Sequence, residues 1–197
     1  MVQTGLTAGT GGNISILNRE LGLVAISPSG LDYFETEPAD VVVTDLDGGI
    51  VDGARKPSSE LDFHLALYKA RQDAASVTHT HSVHATALAC LGRELPAAHY
   101  LIGYAGTKVP LVPYATFGSD TLARLIVEHM DGYNAALLQN HGLVAVGGSV
   151  AASFAAAEAV EFVARVYILS KSLGEPIIVP DDEMENVLEK FKEYGQK

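Results

Sequence analysis

The chain has 197 residues, 48% of them hydrophobic and 19% charged, enough for one domain with a substantial core. Its 13 Lys and Arg against 24 Asp and Glu leave a net charge of −11. That balance disfavours nucleic acid and anionic membranes as partners, because both need a basic face. A phosphorylated metabolite stays open, since backbone N–H groups and hydroxyls hold a phosphate without any arginine. The single cysteine, Cys90, excludes an intrachain disulfide and fits a reducing compartment. With no basic-then-apolar leader and no apolar run of ~18 residues, the expectation is a soluble, cytoplasmic protein.

In chain order, "MVQTGLTAGTGGN" reaches a glycine-rich loop at once. "LGLVAISPSG" reads as a short strand ended by Pro28 and Gly30, and "VVVTDLDGGIVDG" as a hairpin about Gly48-Gly49. The period then changes: Leu61, His64, Leu65 and Tyr68 share one face of a helix with Ser58 or Ser59 as N-cap. "ASVTHTHS" follows as a buried strand and "VHATALACL" as a helix. "VPLVPYATFG" is extended, "SDTLARLIVEHM" is a capped helix, and "NAALLQNHGLVAVG" is a strand pair turning near His141-Gly142. A long alanine-rich helix over Ser149 to Leu173 precedes a closing helix in "DDEMENVLEKFKEYG", acidic first and basic last as the dipole favours. No repeat or linker divides the chain, so residues 1–197 read as one domain. The expected class is α/β (α+β three-layer), with a central mixed, largely antiparallel sheet flanked by helices. A Rossmann unit is excluded because "GTGGN" lacks the G-x-G-x-x-G spacing and a preceding strand.

On a strand, His79 and His81 point to one side about 7 Å apart and can share one ion. Catalytic zinc takes three protein ligands and an open position. His141, in the polar turn "QNHG" between apolar strands, is the best third ligand. An isolated histidine is more often hydrogen-bonded structure, and His64, His84, His99 and His129 are read that way. "HTHSVH" also brings to mind the His-x-His-x-Asp-His signature of metallo-β-lactamase-type hydrolases, but Val83 stands where the second metal's aspartate is required. "KPSSELDFH" sets two serines and Glu60 at a loop-to-helix junction, whose free N–H groups and hydroxyls suit a phosphate. Thr10 and Asn13 of "GTGGN", and Ser29 and Gly30 of "SPSG", offer similar groups. Together they describe a site that grips phosphate at one end and moves protons beside a metal at the other.

Taken in order, "GTGGNIS", "ISPSG", "PSSE", "HTHSVH", "PAAHY", "PYATFG", "QNHGL" and "LEKFKEYG" resemble the motifs of the class II aldolase/adducin family. The resemblance covers essentially the whole chain. It implies one Zn²⁺ per subunit on His79, His81 and His141, although such a site also accepts other divalent transition metals. It further implies Glu60 as the acid/base and phosphate binding by Thr10, Asn13, Ser29, Gly30, Ser58 and Ser59. Tyr100 would reach a neighbouring subunit's site in a fourfold-symmetric homotetramer, where it would serve the aldehyde oxygen. Phe117 and Tyr194 would line the aldehyde side. The implied reaction is reversible cleavage of a ketose 1-phosphate resembling L-fuculose 1-phosphate into dihydroxyacetone phosphate and a short aldehyde such as lactaldehyde. The alternatives are a pentulose-5-phosphate 4-epimerase, a methylthioribulose-1-phosphate dehydratase and a deoxypentulose-phosphate aldolase. The epimerases generally carry aspartate where Glu60 stands, and adducin-like binding modules lack the full metal set. Two features depart from the family pattern: its opening helix is absent, and Asn140 replaces a histidine that often precedes the third ligand.

Overall fold

The computed structural model describes residues 1–193. Eight strands form one sheet: β1 (Asn13–Asn18), β2 (Leu23–Ile26), β3 (Val42–Asp45), β4 (Ile50–Asp52), β5 (Ser76–Thr80), β6 (Leu111–Val112), β7 (Ala135–Leu138) and β8 (Gly142–Gly147). Their order is β4-β3-β2-β1-β5-β8-β7-β6, and every pairing except β6 with β7 is antiparallel. The helices are α1 (Leu61–Ala70), α2 (Val83–Cys90), α3 (Asp120–His129), α4 (Val150–Leu173) and α5 (Asp181–Phe191). The mixed, mostly antiparallel sheet expected from the sequence is present.

The period of two in the strands feeds two separate cores. Ala136, Leu138 and Val144 join Val24, Ile26, Val42 and Val77 beneath α1 and α3. Their alternating neighbours Ala135, Leu137, Leu143 and Ala145 pack with α2, α4 and Met184 of α5 on the opposite face. The sheet is therefore the middle of three layers. Among the described residues, no helix is long and apolar enough to cross a membrane.

Three local features go beyond, or differ from, the sequence expectation. The helix that "PSSELDFH" opens has Glu60 as its N-cap, not Ser58 or Ser59. The reason is an extra turn: the Ser58 carbonyl accepts from Leu61 N–H at 3.1 Å, and Ser58 Oγ accepts from Glu60 N–H at 3.3 Å. At the other end of α1, the Arg19 guanidinium donates to the carbonyls of Tyr68, Arg71 and Ala74, capping the helix from β1's far end. A short 3-10 turn, Tyr100–Tyr104, was not legible as a periodic segment.

Register places the chemistry. Asn13 lies opposite His79, and Ser15 opposite Val77, so Asn13, Ser15 and His79 share the α1 face. The other side of β5 carries Ser76, Thr78 and Thr80, all buried beneath α4. There Ser153 Oγ stands 2.9 Å from Ser76 Oγ and 2.8 Å from Thr78 Oγ1. Ser76 spends its own proton on the Ser15 carbonyl, and the Ser153 proton has Ser76 Oγ and the Val150 carbonyl at 3.2 Å as acceptors, so Ser153 accepts from Thr78. Ser153→Ala strands the Thr78 hydroxyl in the core. Urea unfolding of that variant should show a loss of about 1–3 kcal/mol; a midpoint equal to wild type would show the hydroxyl cluster to be dispensable.

Candidate metal centre and active-site cleft

Three segments meet at one end of the central strands. His79 lies one residue before the end of β5, His81 follows the strand, and His141 closes the β7–β8 turn. In that turn Asn140 has φ 56, a left-handed conformation that asparagine tolerates better than most residues. The departure at Asn140 is thus accounted for by the turn itself. Gly142, directly after His141, has no room for a side chain, because a Cβ would meet the Thr80 carbonyl oxygen at 2.3 Å.

The protonation pattern at His79 follows from its partner. Nδ1 lies 2.9 Å from the Leu143 carbonyl, which can only accept, so Nδ1 carries the proton and Nε2 presents a lone pair. Facing that lone pair are His81 Nε2 at 3.0 Å and Glu60 Oε2 at 3.2 Å. His141 Nε2 lies 3.2 Å from Glu60 Oε1. The ligand atoms of His79, His81 and His141 all fall within 4.8 Å of one another. The His79 lone pair and the Glu60 carboxylate face one another, an arrangement that a cation between them stabilises. Glu60 Oε1 is buried with no hydrogen-bond donor in acceptable geometry, which fits the same conclusion. The donor set suits a divalent transition metal on three imidazoles.

Electrostatics support neutral ligands. Burial, helped by the nearby charge of His79 and His141, pushes His81 down to about 4. Burial alone would push the Glu60 carboxyl up; the imidazoles of His141 and His79, each 3.2 Å from one of its oxygens, outweigh it and hold the group well below the usual carboxylate range. Glu60 is thus an anion beside the three imidazoles.

A cleft of about 370 Å³ opens over this centre. It brings together Thr10, Asn13, Ser29, Gly30, Ser58 and Ser59 with Glu60, His81 and His141, and Phe117 also lines it. Among the described residues, no lysine or arginine does. The two serine loops are fastened to each other: Ser29 N–H donates to the Lys56 carbonyl at 3.0 Å, and Ser58 N–H to the Ser27 carbonyl at 3.2 Å. Asn13 belongs to the cleft in a way its motif did not announce. Its side-chain Nδ2 donates to Glu60 Oε2 at 3.0 Å, and its Oδ1 faces His64 Nε2 at 2.5 Å. Tyr100 lies outside the cleft lining, half exposed, with its ring against His99 and Phe191. Tyr194 falls outside the described residues.

Sequence reasoning missed the residues that hold the glycine loop. Tyr33 Oη stands 2.7 Å from the Gly12 carbonyl and 3.1 Å from that of Gly11. Burial pushes its phenol up to about 12, so it remains a donor. A Cβ on Gly11 would meet His81 Nδ1 at 2.7 Å, and one on Gly12 the His79 carbonyl at 2.6 Å. The loop is glycine-rich because it packs directly on the histidine strand. No spacing rule connects Tyr33 to it. His84 and His129 take structural roles, on Glu161 and on the Leu125 carbonyl respectively.

Residues 1–168 match the family model described as Class II Aldolase and Adducin N-terminal domain. The chain belongs to that family; it is a class II aldolase, a metal-dependent lyase. Over 197 residues it is 54% identical to a 5-deoxy-D-ribulose 1-phosphate aldolase of Bacillus thuringiensis serovar kurstaki, covering 100% of this chain and 92% of that one. It is 44% identical to a 5-methylthioribulose-1-phosphate/5-deoxyribulose-1-phosphate aldolase of Rhodospirillum rubrum, over 97% of this chain and 86% of that one. The solved structure of an L-fuculose 1-phosphate aldolase superposes with a TM-score of 0.95 at 47% identity, covering 97% of this chain and 90% of that chain.

Removing the third imidazole breaks the metal set while leaving both strands of the β7–β8 pair. Elemental analysis after dialysis should find about one divalent ion per chain in the wild type and far less in His141→Ala. Full occupancy in the variant would take His141 out of the ligand set.

Proposed function

We propose that the chain is a zinc-dependent aldolase that splits 5-deoxyribulose 1-phosphate, reversibly and between C3 and C4, into dihydroxyacetone phosphate and acetaldehyde. The observation that carries this reading is the Glu60 carboxylate set 3.2 Å from the Nε2 atoms of both His79 and His141, at the mouth of a cleft ringed by hydroxyls and glycines. The motifs alone favour an L-fuculose 1-phosphate-like substrate. The 54% identical relative, spanning the full chain, carries the 5-deoxyribulose name and favours the shorter sugar instead.

A bound Zn²⁺ supplies a Lewis acid for the negative charge that develops at the ketone oxygen. The chain's residues do the rest. Thr10, Ser29, Gly30, Ser58 and Ser59 hold the phosphate through hydroxyls and N–H groups, while Asn13 turns its amide to Glu60. In the condensation direction Glu60 removes a proton from the carbon that becomes the nucleophile. Tyr100 of a neighbouring subunit gives a proton to the aldehyde oxygen, in a homotetramer whose sites lie between subunits. Cleavage runs the same transfers backwards. Phe117, with Tyr194 from the chain's end, shapes the aldehyde side. Among the described residues no lysine lines the cleft to supply the amine of an imine route. A cytoplasmic setting follows from the phosphorylated substrate and the lone thiol.

Dihydroxyacetone phosphate release is measured over a panel of ketose phosphates, with and without chelator. The expected kcat/KM for 5-deoxyribulose 1-phosphate exceeds that for L-fuculose 1-phosphate by about tenfold or more, and chelator abolishes both. The reverse order overturns the substrate; no release from any member overturns the aldolase reading. Glu60→Gln should keep its metal yet lose turnover by about 10²–10⁴-fold, and undiminished turnover would remove this glutamate from the proton transfers.

A further inference from the structure

The buried groups behind Glu60 form a ladder between α1 and β1. Glu60, His64 and Tyr68 are spaced by four along α1, a rise of about 6 Å per step. Asn13 and Ser15 are spaced by two along β1, about 6.8 Å apart on one face. The two repeats nearly match, and the side chains interleave. Tyr68 Oη lies 2.7 Å from Ser15 Oγ, and Ser15 Oγ lies 2.6 Å from His64 Nδ1. His64 Nε2 meets Asn13 Oδ1 at 2.5 Å, and Asn13 Nδ2 meets Glu60 Oε2 at 3.0 Å. His64 is completely buried, while Asn13 and Ser15 are 3% and 1% exposed.

The direction of each hydrogen bond is fixed from the carboxylate outwards. An ionised Glu60 accepts only, so Asn13 must present its NH₂ to it. That turns the Asn13 carbonyl to His64, whose Nε2 must therefore carry the proton. His64 Nδ1 is then bare and takes the Ser15 proton, which leaves Ser15 Oγ to accept from Tyr68. Every donor in the ladder points towards Glu60. An Nδ1–H tautomer would set two acceptors, Nε2 and the Asn13 carbonyl, against each other at 2.5 Å.

We propose that His64 is a positioning residue: by fixing the Asn13 amide, it holds the Glu60 carboxylate in the orientation that proton transfer requires. His64 does not itself line the cleft and is not one of the three candidate ligands; the cleft residue it hydrogen-bonds is Asn13. Its contribution to turnover rests on the aldolase reading; its tautomer does not. The ladder also gives a physical reason for the polar face of α1, where an apolar helix would pack as well. Bonds between polarised groups in a dry interior are stronger than in water, and a misaligned link leaves a buried atom unpaired.

Two measurements test this. Long-range ¹H–¹⁵N spectra of the histidine-labelled wild type read the tautomer without any substrate. Nε2–H at His64 supports the ladder, and Nδ1–H or a doubly protonated ring overturns it. Kinetics of His64→Phe should show kcat down by about tenfold or more with KM and metal content kept. His64→Gln restores a donor to Asn13 and should recover a large part of kcat. In an Asn13→Ala background, His64→Phe should change kcat no further, because the link it controls is gone. An unchanged kcat in folded His64→Phe, or additive losses in the double variant, overturns the positioning role. If His64→Phe does not fold, the wild-type tautomer and His64→Gln decide. A wild type that cleaves no ketose phosphate refutes the functional reading, while the tautomer still judges the ladder.

Discussion

The site depends on one hydrogen bond, from His79 Nδ1–H to the Leu143 carbonyl across the β5–β8 pair. It fixes which nitrogen of His79 has a free lone pair, and hence where a cation can sit. The bond exists only in the observed register, in which His79 lies opposite Val144 and Thr80 opposite Leu143. A slip of one residue would turn His79 to the α4 face. Gly142 secures the close approach, since any Cβ there would collide with the Thr80 carbonyl. Strand pairing in the middle of the sheet and ligand geometry at its end are therefore one constraint.

Placing so many polar groups on a central strand is costly unless each finds a partner. On the α4 face, Ser76 and Thr78 are satisfied through Ser153. On the α1 face, Asn13 and Ser15 of the neighbouring strand are satisfied through His64, Tyr68 and Glu60. Among the described residues the buried side-chain atoms left without a partner are Thr44 Oγ1, Thr86 Oγ1 and Glu60 Oε1. Of these, only the Glu60 oxygen belongs to a residue lining the cleft. A carboxylate that is anchored on one oxygen and open on the other is directed without being quenched.

The three candidate ligands were legible because each sits in or beside an apolar strand, where a polar residue has no packing reason to be, and Glu60 because it stands at a loop-to-helix junction. The sheet class and the helices α1 to α5 were legible because their periods of two and 3.6 are long and clean. Asn13 was legible as a site residue, but its pairing with Glu60 and His64 was not, because it depends on a helix and a strand 47 residues or more apart in sequence packing face to face. Tyr33 escaped for the same reason, lying in an irregular loop with no period to interrupt. The N-cap shifted from the serines to Glu60 because the extra turn is a matter of backbone geometry that residue preference alone does not specify. Substrate identity was read as L-fuculose-like from motifs that all members of the site class share, and such motifs encode the metal and the phosphate, not the far end of the sugar.

The cleft's charge balance sharpens what holds an anionic substrate there. The net charge of −11 opposes approach of a phosphate ester at long range, although salt screens this beyond roughly 8 Å. Among the described residues, no lysine or arginine in the cleft offsets it. Recognition in the proposed reading must therefore come from short-range donors already in place, the hydroxyls and N–H groups of two loops tied together by Ser29 to Lys56 and Ser58 to Ser27, and from the cation on the three imidazoles. Preorganised neutral donors add no full charge that would compete with Glu60 or raise the local potential at the metal. Among the described residues, the neighbours of the Glu60 carboxylate are set by strand register at His79, by the β7–β8 turn at His141 and by the α1 ladder at Asn13.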